Sequence, residues 1–253
     1  MSIDLNADLG EVIDGVRTDD AGLVEVVTSA NVACGFHSGD AVTMTSACNL
    51  CVGEGVVIGA QVSYRDRQGF GRRFLDVEPA VLTADVLEQL ETLDELAHEV
   101  GGRVAYVKPH GALYNAIVHH EAQAAAVVAA VVEYDGRLPV LGLPGSRWLA
   151  LAEQAGLRTV REAFADRGYA ADGTLVPRGE PGAVLANLRV VVGRCVRLAT
   201  AGEVVAVDGT VVQVDPDSIC LHADTPGAVS LAHAVRAALT AAGVELAPFV
   251  HGL

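Results

Sequence analysis

Short apolar runs rich in Val, Ile, Leu and Ala alternate along the chain with longer segments whose apolar residues recur every three or four positions. The short runs are Ile3 to Leu9, Asn31 to Gly35, Val56 to Gln61, Val104 to Lys108, Pro139 to Leu143, Thr159 to Phe164 and Ser218 to His222, and their length and branching predict strands. Helices are predicted around Ala21 to Ser29, Ala41 to Gly53, Pro79 to Val100, Glu121 to Tyr134, Ser146 to Ala155, Gly182 to Ala201 and Gly227 to Ala241. Strand-helix alternation of this kind gives a parallel sheet with right-handed crossovers. Seven such units, with no Ser/Pro/Gly-rich linker or charge block between them, predict a single domain over residues 1–253. The predicted fold is α/β, a seven-stranded TIM-like (β/α) barrel of parallel strands with outer helices; an open doubly wound sheet is the alternative. Asp172 to Arg178 and the turn Val207-Asp208-Gly209-Thr210 break the pattern and predict small hairpins on the rim.

In parallel α/β folds the reactive groups gather beyond the carboxyl ends of the strands. Those positions carry Asp8 and Glu11, His37 and Asp40, Gln61, Lys108 and His110, Glu162, Asp166 and Arg167, and His222 and Asp224. If they ring one mouth, acids, imidazoles, an ammonium and a guanidinium share a cavity suited to acid/base work on a polar substrate. Asp4, Asn6 and Asp8 alternate with apolar residues, so one face of the first strand is polar and needs hydrogen-bond partners, a cation or water inside the barrel. The same spacing opens an EF-hand loop, but Leu9 and Gly15 stand where that loop needs Gly and Glu. Lys108 and His110 lie two residues apart, hence on one face, with Pro109 ending the strand. Arg72 and Arg73 follow Gly69-Phe70-Gly71 in a long loop and could clamp a carboxylate or phosphate, and Gly142 to Ser146 could offer backbone N–H groups to an anion. His98, His119, His120, His233 and His251 read as helix-surface or tail residues.

Composition narrows the setting. The 17 basic and 32 acidic side chains give a net charge of -15, which argues against nucleic acid as a partner. Mean hydropathy is +0.36, yet the longest apolar run, Ala124 to Val132, is half of the roughly 18 residues a spanning helix needs. The amino-terminal residues carry acids where a signal peptide is basic, so a cytoplasmic protein without membrane contact is expected. Five cysteines, among them Cys48 and Cys51 in a C-x-x-C spacing inside a helix, fit reduced core residues. Of the 17 basic residues only Lys108 is lysine, which points to a site that needs an ammonium. The absence of a Gly-x4-Gly-Lys-Ser/Thr segment rules out a Walker lysine.

Several segments together resemble the LamB/YcsF family, the A subunit of prokaryotic 5-oxoprolinase. They are Asp4-Leu-Asn-Ala-Asp-Leu-Gly-Glu11, Ser29-Ala-Asn-Val-Ala-Cys-Gly-Phe-His-Ser-Gly-Asp40, Gly69-Phe-Gly-Arg-Arg73, Val107-Lys-Pro-His-Gly-Ala-Leu-Tyr-Asn115, Phe164-Ala-Asp-Arg-Gly-Tyr169, Leu175-Val-Pro-Arg178 and Ile219-Cys-Leu-His-Ala-Asp224. The resemblance implies a barrel of the glycoside hydrolase/deacetylase type and ATP-dependent opening of 5-oxo-L-proline to L-glutamate with partner subunits B and C. Under it Asp8, Glu11, His37, Lys108, His110, Asp166, Arg167 and His222 become the catalytic candidates. Asn6, Asp40, Arg72, Arg73, Asn115, Glu162, Arg178 and Asp224 become the substrate- or phosphate-binding ones. ATP and Mg2+ are the implied cofactors, and Asp8, His37 and His222 the possible metal ligands.

The chain departs from the family pattern at three places. Gly59-Ala-Gln61-Val62 stands where the family shows Gly-Ala-His-Pro, His222-Ala-Asp224 where it shows His-Gly-Asp, and Ser38 where it shows alanine. Gln61 weakens any deacetylase-like metal triad that would use that position. A stand-alone metal-dependent amidohydrolase or deacetylase, and a non-catalytic lactam- or sugar-binding protein, are the alternatives.

Overall fold

The computed structural model describes residues 1–224 and 227–250, so His251 lies outside the described residues. The strands are β1 (Ser2–Leu9), β2 (Ser29–Ala33), β3 (Val57–Val62), β4 (Tyr106–Pro109), β5 (Val140–Gly142), β6 (Thr159–Phe164) and β7 (Ser218–Leu221). They follow one another around the sheet, every neighbouring pair parallel, and β7 pairs back onto β1 from Asp4↔Ser218 to Ala7↔Leu221. That last pairing closes the barrel and excludes the open sheet.

The helices are α1 (Asp20–Val24), α2 (Ala41–Glu54), α3 (Pro79–Glu99), α4 (Gly111–Ala116), α5 (Glu121–Asp135), α6 (Arg147–Gln154), α7 (Leu188–Ala201) and α8 (Ala228–Ala241). Most start where a side chain can satisfy an orphan backbone N–H: Asp40 and Thr43 form a capping box on α2, and Ser146 caps α6. The helix expected from Gly182 begins only at Leu188, because Asn187 supplies its cap. Helix α4, directly after His110, has too few residues to show a period, and the sequence pattern does not reveal it. None of the helices among the described residues is long and apolar enough to cross a membrane.

Both predicted rim hairpins form, one around the Tyr169↔Leu175 bridge and one pairing Glu203–Val205 with Val211–Gln213. A further ribbon joins Val12–Ile13 to Val16–Arg17, and Glu245–Leu246 adds to the start of β1. The main core lies between strands and helices; a smaller cluster of Val57, Ala105, Tyr106, Leu141, Val160 and Phe249 fills the other end of the barrel from the catalytic candidates. All five cysteines are free and buried.

Gly59 makes room for the Tyr106 ring: a Cβ there would lie 2.1 Å from Tyr106 Cζ. Gly59→Ala is therefore expected to destabilise the protein by about 1–3 kcal/mol, the usual range for overpacking. Urea unfolding checks this, and a variant as stable as wild type would mean that the Tyr106 ring moves aside freely.

Candidate active site

The barrel interior is polar along β1, as its alternation predicts. Asp4 is deepest and accepts from Thr28 and Ser29 at 2.6 Å each and from the Ser218 hydroxyl. One layer up, the Asn6 amide donates to Ser218 at 2.7 Å and Glu162 at 3.2 Å, and its oxygen accepts from Asn31 at 2.7 Å. The Tyr106 hydroxyl donates to Asn31 at 2.7 Å. Above them Lys108 Nζ stands 3.1 Å from Asp8 Oδ1, from Glu162 Oε1 and from Cys220 Sγ. Burial would raise Asp8, but the Lys108 ammonium beside it outweighs burial and holds the carboxyl below the ordinary range. The same carboxylates overcome burial at Lys108 and hold its ammonium well above the ordinary value.

At the carboxyl ends of the strands a cavity of about 480 Å³ opens. Asp8, Glu11, Arg72, Lys108, His110, Asn115, Arg167, Arg178, His222 and Asp224 of the predicted residues line it. Asn6 and Glu162 lie below it in the Lys108 surroundings, while His37 supports His110 and Asp166 supports His222 from behind.

Hydrogen bonds fix the histidine tautomers. Burial, then the charges of Asp8 and Asp224, push Glu11 well above the ordinary carboxylate range, and burial beside His110 pushes His37 well below that of imidazole. A protonated Glu11 donates to His37 Nε2 at 3.3 Å, His37 Nδ1 donates to Ser63 at 3.0 Å, and the Ser63 hydroxyl donates to the Tyr64 carbonyl at 3.1 Å. His110 stacks on His37 with centroids 3.8 Å apart; its Nδ1 accepts from the Gln61 amide at 3.0 Å and its Nε2 donates to the Phe70 carbonyl at 3.1 Å. Burial lowers His110 to about 4. Gly71 (φ +65°) lets the loop after β3 press on both rings, since a Cβ would lie 2.8 Å from His37 Cβ and 3.0 Å from His110 Cδ2. His222 donates from Nδ1 to Asp166 at 2.7 Å and stacks on Phe164. Among the described residues its Nε2 has no hydrogen-bond partner.

The mouth is basic. Arg72 and Arg178 both reach Asp224 Oδ2, and Arg167, tied to the carbonyls of Val176 (2.7 Å) and Ala183 (3.0 Å), is lowered to about 10 by burial and by Arg178. Two predicted binding residues lie elsewhere: Asp40 is occupied as the cap of α2, and Arg73 is turned onto Asp66, pinning the loop. The Gly142–Ser146 turn caps α6 and does not line the cavity. Sequence reasoning did not find Asn31, Tyr106, Ser63 or Phe70, nor the Cys220 contact with Lys108; an asparagine inside a strand was the one available signal.

The three possible metal ligands separate into two groups, Asp8 with Cys220 and His222, and His37 with Glu11 and His110. Neither fits a divalent ion. In the first, the Lys108 ammonium already occupies the space between Asp8 and Cys220. In the second, the imidazole planes are 12° from parallel, so an ion in the plane of one ring lies outside the plane of the other. Mg2+ also wants an octahedron of oxygens, which these nitrogen- and sulfur-containing groups do not supply.

Comparisons with known proteins agree with this architecture. A sequence model of the LamB/YcsF family matches residues 3–252. The chain is 59% identical over 248 residues to the 5-oxoprolinase A subunit of Streptomyces avermitilis, covering 98% of this chain and 99% of that protein. It is 40% identical to the lactam utilization protein of Thermus thermophilus, whose crystal structure it matches with a TM-score of 0.92 over 98% of this chain and 100% of that one. A family 4 carbohydrate esterase from Streptomyces lividans shares the fold, with a TM-score of 0.51 at 10% identity over 98% and 93% of the two chains.

Burial pushes Asp4 up from 3.8 to about 6, against its hydroxyl donors. Between these values the folded protein keeps a proton that the unfolded chain has released, so stability falls as pH rises through the window. Asp4→Asn should remove that slope, worth about 3 kcal/mol between about pH 4 and pH 6. Denaturant titrations of both proteins across the window decide the matter; parallel stability curves would place the ionisation elsewhere.

Proposed function

Because the chain belongs to the LamB/YcsF family, we propose that it is the A subunit of a cytoplasmic 5-oxoprolinase, opening 5-oxo-L-proline to L-glutamate at the cost of ATP together with subunits B and C. The full-length 59% identity to a 5-oxoprolinase A subunit carries this reading. The site's chemistry supports it. A five-membered lactam is a stable amide, and phosphorylating its oxygen makes the ring carbon open to water. The substrate is then an anion with a carboxylate and a phosphate, which suits the Arg72, Arg167 and Arg178 rim. Lys108 and Asp8 form the polar floor, where the ammonium faces negative charge developing on the lactam and Asp8 orients water.

The one lysine is buried among carboxylates, so no lysine of this chain can serve a nucleotide in the Walker manner. ATP, with the Mg2+ it carries, is therefore assigned to a site that the partner subunits help to build.

The purified chain alone should hydrolyse neither 5-oxoproline nor ATP at an appreciable rate, and both activities should appear on adding B and C. Glutamate release from the lone chain without ATP would replace this reading with a simple amidohydrolase. In the reconstituted enzyme, Lys108→Arg should lower kcat by roughly 10²- to 10³-fold, because a forked guanidinium does not fit between Asp8, Glu162 and Cys220. A variant with unchanged Tm and more than about a third of wild-type kcat would remove Lys108 from the catalytic machinery.

A further inference from the structure

An O-phosphorylated lactam does not by itself lead to an open chain. Water adds to the ring carbon of the C=N–ring imidoyl phosphate and gives a tetrahedral centre bearing a hydroxyl, a phosphate and the ring nitrogen. If the carbon–oxygen bond to phosphate breaks, the lactam is regenerated and the nucleoside triphosphate has been hydrolysed for nothing. If the carbon–nitrogen bond breaks, the ring opens to an acyl phosphate, which a second water converts to glutamate and phosphate. An amine leaves only when protonated, so a proton delivered to the ring nitrogen decides between the two outcomes.

The site leaves one histidine for that task. His37 and His110 have both ring nitrogens engaged. His222 lines the cavity with only Nδ1 engaged among the described residues, and Asp166 as acceptor keeps the proton on Nδ1, so Nε2 carries a lone pair. Its ring is held at the edge by Asp166 and on the face by Phe164. It follows β7, whose register beside β1 sets it next to Asp8, and one of its ring nitrogens lies within 4.8 Å of an Asp8 carboxylate oxygen.

We propose that His222 is the catalytic residue that couples triphosphate hydrolysis to ring opening, with Asp166 as its positioning residue; this rests on the 5-oxoprolinase reading above. Nε2 takes a proton from the attacking water and gives it to the ring nitrogen, then moves the hydroxyl proton the same way as the carbonyl forms. Both water hydrogens end on the departing amine, the water oxygen stays on carbon, and His222 is restored.

The test is the ratio of phosphate to glutamate produced by the reconstituted three-subunit enzyme, run in water enriched in the heavy oxygen isotope. Wild type should give a ratio of one with no heavy oxygen in recovered 5-oxoproline. His222→Gln should raise the ratio several-fold and place the isotope in recovered 5-oxoproline, the mark of phosphate expulsion after water addition. Asp166→Asn, which keeps the imidazole, should shift both readouts in the same direction and less far, and it serves if His222→Gln does not fold. A folded His222→Gln that is merely slower at a ratio of one, or one whose excess phosphate comes without isotope in the lactam, would overturn the proposal. Failure of wild type to couple the two products at all would instead overturn the 5-oxoprolinase reading.

Discussion

The Lys108 ammonium has been taken out of water, with its side chain 3% exposed, and an ion so placed costs several kcal/mol unless partners replace the solvent. Asp8, Glu162 and Cys220 are those partners, drawn from β1, β6 and β7. Each is itself anchored or flanked by the polar residues of β1 and β2, so the arrangement cannot be loosened at one point. The ammonium thereby keeps Asp8 ionised beside Glu11, whose own carboxyl is held protonated. Two acids a short distance apart are thus poised in opposite states at one cavity, which is how a single site can both give and accept protons near neutral pH.

The basic rim matters because it is local. In a chain of net charge -15, three guanidiniums surround one opening, and among the described residues Asp224 is the carboxyl that Arg72 and Arg178 share. Against that net negative charge the three guanidiniums give an anion a local attraction at the mouth, which favours approach to the site.

The sequence reveals the barrel because strand and helix periods differ and because caps such as Asp40 and Ser146 mark boundaries chemically. It also reveals which residues stand at strand ends, and eight of those, Asp8, Glu11, Gln61, Lys108, His110, Arg167, His222 and Asp224, line the cavity. It does not reveal how far in they stand. Asp40 and Arg73 have polar groups suited to a ligand but are claimed by a helix cap and by Asp66, interactions set by three-residue and seven-residue spacings that any loop can use. Hydrogen-bond partners are equally invisible in one dimension: the state of His110 depends on Gln61 and on the Phe70 carbonyl, 49 and 40 residues away. Helix α4 escapes because one and a half turns are too short for a period to show.

Closure of the barrel also orders events in time. The Asp4–Ser218 contact joins residues 214 positions apart, and the β1–β7 seam around it has no shorter-range substitute. Strands β1 to β6 can each meet the next after a modest loop, but the seam must wait for the segment that contains β7, and contacts of such long range come at the greatest loss of chain entropy. Until then the inward face of β1 presents Asp4, Asn6 and Asp8 without the Ser218 hydroxyl and Cys220 thiol that later meet them. Its polar side chains disfavour a wrong apolar strand at that vacant edge, and a slip of one residue would turn them outward against the helices. The polar stripe that prepares a site for chemistry is therefore also the lock that admits only one strand, in one register, as the last stave of the barrel.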